Sequence, residues 1–359
     1  MPRSRSRLLL PALLLAAACG GRTDSVKVTV MSRNLYLGGD IEKVLGDMAG
    51  GAPPTQVLAD ANAVWLTVKG TSFPERAKAI AAEIAAQKPD VVGLQEVALW
   101  RSGTSLATAT KVEYDFLSLL LGELQVLGLT YNAAAVSQNF DGGLPLAVPP
   151  ASPFFIRYTD RDVILTRDHL TYFNARSGNY KARFVLTPDI VVLRGWAAID
   201  VYREGGTFTV IDTHLEVETG FDNKPGELPL YLLQAEQAAE LTRMVANNPL
   251  PVLILGDLNS DANLTTTPTY SLLLDAGFGD PWADLYFPDK GFTCCNADAA
   301  IRADPIFGTR IDHTLYRGTF KPRVATIVGR DAAEKTPSGL WPSDHAGMVT
   351  TFDFQFIGG

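Results

Sequence analysis

Asp257 and Asn259 stand two residues apart in Gly256-Asp257-Leu258-Asn259-Ser260, directly after the apolar run Pro251-Val252-Leu253-Ile254-Leu255. A short buried strand ending there would deliver both side chains to one side of an extended backbone. A carboxylate in that place can hold a metal or polarise a water. A neutral amide can fix a phosphate oxygen without repelling it. Taken alone, an Asp-x-Asn after a strand is more often a turn or a helix cap. Further segments of the same design change that balance. Asn34 closes Val28-Thr29-Val30-Met31-Ser32-Arg33, Glu96 closes Val91-Val92-Gly93-Leu94-Gln95, and His214 closes Thr209-Val210-Ile211-Asp212-Thr213. Arg310-Ile311-Asp312-His313 sets Asp312 inside a strand, and Ser343-Asp344-His345 precedes the last strand. Carboxylates, amides and imidazoles at strand ends suit metal-assisted, acid–base hydrolysis of an anionic ester, provided the strand ends share one rim.

Strand and helix patterns alternate along the chain. Period-two or fully apolar runs predict strands at Val26–Ser32, Pro89–Leu94, Asp162–Thr166, Gly195–Tyr202, Thr207–Asp212 and Val252–Leu255, then Arg310–Tyr316, Arg323–Val328 and Ala346–Phe354. Arg203-Glu204-Gly205-Gly206 is a hairpin turn between two of them. Helical spacing predicts helices at Pro74–Gln87, Glu113–Leu127 and Leu230–Ala246, with Pro74 in a first-turn position. Asp40–Ser72 is a long connection with a helix at Gln56–Val68, and Leu144–Pro153 is a Pro-rich surface loop. Connections of that length in a compact domain often serve as lids or rims. There is no fixed-period repeat and no linker that divides the chain.

The ordered set of strand-end motifs resembles the endonuclease/exonuclease/phosphatase superfamily, the group that includes DNase I-like, exonuclease III-like and neutral sphingomyelinase enzymes. The resemblance runs from about Val26 to Phe354. It implies an α/β (α+β) fold, a four-layer sandwich of two mainly antiparallel sheets flanked by helices in a single domain. It implies hydrolysis of a phosphodiester or phosphomonoester with a divalent cation, usually Mg²⁺, with Mn²⁺ or Ca²⁺ as alternatives. By resemblance, Glu96 is the principal metal carboxylate, Asn34 the amide that assists it, and Asp344 a further metal or water ligand. Asp257 orients or deprotonates the attacking water, and Asn259 bonds the scissile phosphate. His345 is the last histidine with Asp312 as its partner, and His214 is the second histidine of the DNase and sphingomyelinase relatives. A cation and cationic histidines would screen charge on the phosphoryl oxygens. Two departures stand out. Asp162 replaces a small residue or Asn in Arg161-Asp162-Val163-Ile164-Leu165, and Tyr36 stands where repair enzymes place a carboxamide or carboxylate. His169 and His313 match no family position and are read as surface or structural residues.

Composition sets outer bounds. Apolar residues make up 47% and charged residues 19% of 359, which indicates a globular chain rather than a disordered one. Arg3, Arg5 and Arg7 followed by Leu8–Leu15 read as an export signal over residues 1–18. Leu15-Ala16-Ala17-Ala18-Cys19 resembles a bacterial lipobox. It implies cleavage before Cys19, lipidation of its thiol, and a tether over 19–25 ahead of the catalytic domain at 26–359. The enzyme would then be lipid-anchored in the cell envelope, on the outer membrane or periplasmic side. An ordinary secretory signal with an incidental cysteine is the alternative. The net charge of −8 becomes −11 once those three arginines leave. So acidic a chain lacks the broad basic footprint of a tight nucleic-acid binder, although a bound cation can supply positive charge locally.

Cys294 and Cys295 are adjacent. A strained vicinal disulfide or two free thiols are the open readings. A metal site is disfavoured because no histidine lies at finger-like spacing. The leading function is an exported, membrane-anchored phosphoesterase acting on a lipid headgroup, a small phosphoester or a nucleic acid. A secreted-type endonuclease is one alternative, and a non-catalytic binding module on the same fold is another. Trp65 and Trp282-Ala283-Asp284-Leu285-Tyr286-Phe287 could touch lipid or bases, with core packing as their default. No protein partner is expected.

Overall fold

A computed structural model describes residues 23–146, 154–188, 190–218, 228–263 and 267–357. The signal segment and Cys19 lie outside the described residues. The chain runs β1 (Thr23–Asn34), α1 (Ile41–Ala49), α2 (Pro54–Gly70), α3 (Phe73–Gln87), β2 (Val91–Gln95), β3 (Leu99–Gly103), β4 (Lys111–Asp115) and α4 (Phe116–Val126). It continues through β5 (Tyr131–Leu146), β6 (Phe154–Arg167), β7 (Thr171–Asn179), β8 (Phe184–Thr187), β9 (Ile190–Val192), β10 (Gly195–Arg203) and β11 (Gly206–His214). Then come α5 (Leu230–Val245), β12 (Val252–Asp257), α6 (Thr269–Asp275), α7 (Pro281–Tyr286), β13 (Asp312–Arg317), β14 (Phe320–Val328) and β15 (Gly347–Ile357).

One sheet has eight strands in the order β14-β15-β1-β2-β6-β3-β4, with β5 also paired to β6. The other has five, β13-β12-β11-β10-β7. Each contains one parallel pair, β1–β2 and β11–β12, and is otherwise antiparallel. Alternation along the strands builds the layers. Val28 and Val30, Val91, Ile164, Leu253 and Leu255 face the other sheet. Their neighbours Met31, Val92, Val163 and Leu165 face a helical layer of α2, α3 and α4. Ile254 and Ile211 face α5 and α6. The result is the four-layer sandwich, helices outside and sheets within.

Three expectations needed adjustment. Residues 111–115 form β4, so the helix expected from Glu113 starts at Phe116. Asp312 opens its strand instead of lying inside it. Leu144–Leu146 finish β5, so only 147–153 remain of the expected loop, and these lie outside the described residues. The Arg203–Gly206 turn forms as expected, with Glu204 and Gly205 at φ 48° and 102°.

Candidate active site

The cleft sits where the carboxyl ends of both parallel pairs meet. Asn34 is the last residue of β1, His214 the last of β11 and Asp257 the last of β12. Glu96 follows β2 directly. Asp312 opens β13, and His345 stands two residues before β15. Glu96, His214, Asp257, Asn259, Asp344 and His345 line one cleft of about 410 Å³. Asn34 and Asp312 stand directly behind it. The structure therefore gathers all eight residues singled out from the sequence.

Hydrogen bonds lock the group. The Asn34 Nδ2 donates to Glu96 Oε1 at 3.0 Å and to Asp257 Oδ2 at 3.0 Å. Its Oδ1 accepts from the Tyr36 N–H at 2.9 Å. Asn34 thus orients two carboxylates, while its own oxygen already has a donor. The Leu37 N–H donates to Glu96 Oε2 at 2.7 Å. Glu96 itself has φ 55°, a left-handed conformation that turns the chain sharply at the end of β2. Asp312 takes the His345 Nδ1 at 3.0 and 3.2 Å. Asp257 Oδ2 lies 3.7 Å from His345 Nδ1 and 3.6 Å from His214 Nε2. The Asn259 N–H donates to Asp257 Oδ1 at 2.9 Å. The Asn259 Nδ2 meets His214 Nε2 at 3.1 Å and donates to the Leu215 carbonyl at 2.9 Å. Its amide protons are engaged within the protein rather than aimed at an open phosphate position.

Buried arginines brace the loops that carry these groups. Arg76 donates to the carbonyls of Thr71, Tyr36 and Pro342 at 2.9, 2.9 and 3.0 Å, and also to that of Leu35. Arg33 pairs with Glu83 at 2.9 and 3.0 Å and donates to the His345 carbonyl. Each fully buried cation is answered by several acceptors, as burial of charge requires.

Charge distribution follows from this packing. Enclosure in the cleft and the neighbouring Asp344 push Glu96 up to about 7. Enclosure raises Asp344 as well. Burial, offset in part by His345 and reinforced by Asp312, pushes Asp257 up to about 6. Burial alone would lower His345, but Asp312, Asp257 and Asp344 outweigh it and hold that imidazole well above its usual range. His214 goes the other way. Burial, then the Arg194 and His345 charges, hold it well below the usual histidine range. The expectation of two cationic histidines therefore fits His345 and not His214.

Two residues of the site, Arg194 and Asp160, carry no signal among the motifs above, and a third, Asp162, stands there only as a departure. Arg194 borders the cleft, reaching His214 Nε2 at 3.3 Å and Glu216 Oε1 at 2.8 Å. It supplies the fixed positive charge that His214 lacks. The available signals were an Arg-Gly pair heading a strand and a His-x-Glu spacing. Asp160 lines the cleft and holds the Tyr158 hydroxyl at 3.0 Å. Asp162, flagged as a departure, is fully buried behind it, bonded to Asn139 at 2.8 Å, and burial raises its carboxyl strongly. Ligating atoms of Asp160, Asp162 and His214 lie within 4.8 Å of one another, as do those of Asp257, Asp312 and His345.

The remaining histidines, tryptophans and cysteines have plain placements. His313 is buried against Tyr270 and its Nε2 meets the Ser260 carbonyl at 3.3 Å, while His169 lies away from the cleft beside Asp168. Trp282 packs on Ala325 and Met348. Cys294 and Cys295 form a vicinal disulfide. Their sulfurs lie 3.7 and 3.9 Å from His345 Nε2, so a histidine does adjoin the pair, contributed from fifty residues farther along the chain.

A model of the Endonuclease/Exonuclease/phosphatase family matches residues 64–345. The chain belongs to this family. Members of the family are hydrolases that act on phosphoester bonds. No curated protein matches the chain. Among solved structures, an endonuclease/exonuclease/phosphatase family protein from Bacteroides thetaiotaomicron is 17% identical, with TM-score 0.56 over 93% of this chain and 100% of its own. A family protein from Leptotrichia buccalis is 15% identical, with TM-score 0.51 over 91% and 100%. A mannosyl-6-phosphatase from Bacteroides thetaiotaomicron is 16% identical, with TM-score 0.51 over 90% and 99%. At such identities the likeness is one of fold.

The donor chemistry suits a divalent cation. Glu96 and Asp344 bring oxygen ligands into the cleft, and burial, with Asp344 acting on Glu96, raises both carboxyls. Hard cations such as Mg²⁺ prefer such oxygen sets and retain several waters.

Proposed function

We propose that this chain is a divalent-cation-dependent phosphoesterase that hydrolyses its substrate by attack of water. The observation that carries the reading is the Asp257–His345–Asp312 arrangement set beside the Glu96–Asp344 carboxylates in one cleft. Glu96, oriented by Asn34, would hold the cation together with Asp344, and a cation there supplies positive charge against the phosphoryl oxygens.

The remaining steps belong to side chains. Asp257 sits near the pH at which a base is most effective and accepts the proton of the attacking water. His345, kept cationic by Asp312 and lining the cleft, would stabilise the charge that builds on the phosphoryl oxygens. Arg194 adds a second permanent positive charge beside neutral His214. Asn259 fixes His214 against the Leu215 carbonyl. The alkoxide leaves from the side opposite the water, where cationic His345 can return a proton.

The same proposal places the enzyme outside the cytoplasm on a lipid anchor, on the strength of the Arg-rich start and Ala16-Ala17-Ala18-Cys19. A diacylglyceryl group on the native N-terminal peptide, read by mass spectrometry, is the expected result. The catalytic test strips the purified chain with a chelator, restores Mg²⁺, Mn²⁺ or Ca²⁺, and assays bis(p-nitrophenyl) phosphate, p-nitrophenyl phosphate, plasmid DNA and RNA. Cation-restored hydrolysis of any one supports the reading. Folded protein that is inert on all of them with every cation rejects it.

A further inference from the structure

The long connection Asp40–Ser72 holds α1 in addition to the expected helix, which forms as α2. The two helices close a second space of about 240 Å³ against β3, β5 and β6. Leu45, Met48, Trp65, Trp100, Phe140 and Ile156 form its walls. Protein interiors pack with few voids larger than a water. An apolar recess of this size, partly open to solvent, is space the fold leaves unfilled, and its walls suit an apolar guest.

The chamber offers carbon surface. The Trp100 Nε1 donates to the Leu37 carbonyl at 3.1 Å and the Tyr158 hydroxyl to Asp160 at 3.0 Å, so these rings turn their polar atoms elsewhere. Asp141 is the one charged side chain among the described lining residues. It is neutralised by the Arg157 Nε at 2.8 Å and by Arg101 at 3.2 Å. A nucleobase would bury its polar edges here without partners, which is costly. A hydrocarbon chain would bury none.

The chamber adjoins the cleft. Ile41, Leu45, Phe140 and Tyr158 border both spaces, and Tyr158 is tied to Asp160 in the cleft wall. A substituent on a phosphorus held at Asp257 and His345 can reach this wall directly.

We propose that the chamber receives a linear hydrocarbon chain carried by the phosphoester substrate. The inference rests on the phosphoesterase reading above and adds the substrate class. A membrane lipid and a free alkyl phosphoester both present this chemistry to the walls.

The test is a series of alkyl p-nitrophenyl phosphates, from methyl upward, below their aggregation limits and with saturating Mg²⁺. The expected result is a kcat/KM that climbs by roughly fourfold per methylene and levels off once the chamber is full. Met48→Trp should truncate the climb and leave the methyl ester at its original rate. Val64→Trp serves the same purpose from α2 if the first variant folds poorly. Alkylphosphonate binding, followed by tryptophan fluorescence, gives a readout that needs no turnover. A flat response to chain length in both binding and turnover overturns the proposal. Chain-dependent binding without turnover of any ester keeps the chamber and sinks the phosphoesterase reading. Equal use of phosphatidylcholine–phosphatidylglycerol vesicles and monomeric esters identifies the lipid source, and use of monomeric esters alone identifies the free one.

Discussion

The two sheets bring the same backbone device to the cleft and load it with different chemistry. In each, a parallel pair ends at the site, β1–β2 on one side and β11–β12 on the other. In each, an antiparallel neighbour starts there, β15 or β13. The eight-stranded side contributes Asn34, Glu96 and Asp344, and burial raises both carboxyls, with Asp344 adding to the rise at Glu96. The five-stranded side contributes His214, Asp257, Asn259 and Asp312, which are already linked to one another, to Arg194 or to His345. One half carries negative charge that invites a cation, and in the other the carboxylates are already answered by partners, Asp257 by Asn34 from the first sheet among them. His345 joins them. It is carried into β15 of the first sheet but bonds Asp312 of the second.

This division predicts that variants on the two sides fail differently. His345→Ala removes the cation facing the phosphate and should lower turnover at saturating Mg²⁺ by about 10²–10⁴-fold, with Mg²⁺ affinity little changed. Glu96→Gln keeps the shape but not the charge, so it should raise the Mg²⁺ needed for half-maximal activity. Asp312→Asn leaves the imidazole in place and should cost less than His345→Ala. Turnover against Mg²⁺ concentration, with folding checked by circular dichroism, separates the classes. Near-normal turnover in folded His345→Ala would erase the distinction between the halves.

A smaller effect sharpens the same contrast through pH. Glu96 must be ionised to hold a hard cation, and its carboxyl stands near 7. Protonation below that value competes with the metal. Mg²⁺ affinity should therefore fall by about tenfold per pH unit below 7 and flatten above it. Titration calorimetry at fixed ionic strength reads this directly. Asp257, near 6, should instead set the acid limb of kcat/KM. Glu96→Gln should weaken the pH dependence of affinity, leaving only the part that Asp344 contributes, and keep the rate limb in place. If both curves moved together in that variant, the two sides would not be separate.

Much of this arrangement was legible in the chain. Val28–Arg33 and Val252–Leu255 announce strands through apolar runs, and polar residues at their ends mark a rim. The convergence of the rims was not legible, because it depends on which strands pair. Ala133 to Gly143 of β5 mixes small, polar and Gly residues on an edge strand, so no two-residue alternation betrayed it. Asp160 was passed over for Asp162, since both lie on one face of β6 and only tertiary depth decides which borders the cleft. The neutral state of His214 comes from burial and then from Arg194, a cation on the turn between β9 and β10, and neither burial depth nor that approach can be read from the chain.

The smallest predicted effect concerns the seam behind the cleft. Asp212 of β11 points between the sheets and is fully buried, where the Gln95 Nε2 at the end of β2 donates to it at 2.6 Å. Gly93 makes room, since a Cβ there would lie 2.3 Å from the Asp212 carboxylate. Burial holds this carboxyl well above its usual range, although Gln95 and the N–H groups of Thr213 and Leu94 pull it back. Its folded value thus exceeds the unfolded one, so the protonated side chain favours the fold. That contribution is greatest below the unfolded value of about 4 and is lost as pH rises. Asp212→Asn keeps an acceptor for Gln95 and removes the charge that alkaline solution would impose. It should leave melting temperature near that of the parent in acid and raise it by roughly 2–4 °C above neutral pH. Activity should stay at the parent level, because Asp212 does not line the cleft. A melting temperature that falls in alkaline buffer would mean that the seam uses the Asp212 charge, and that the inner faces of the two sheets are coupled electrostatically as the cleft ends are.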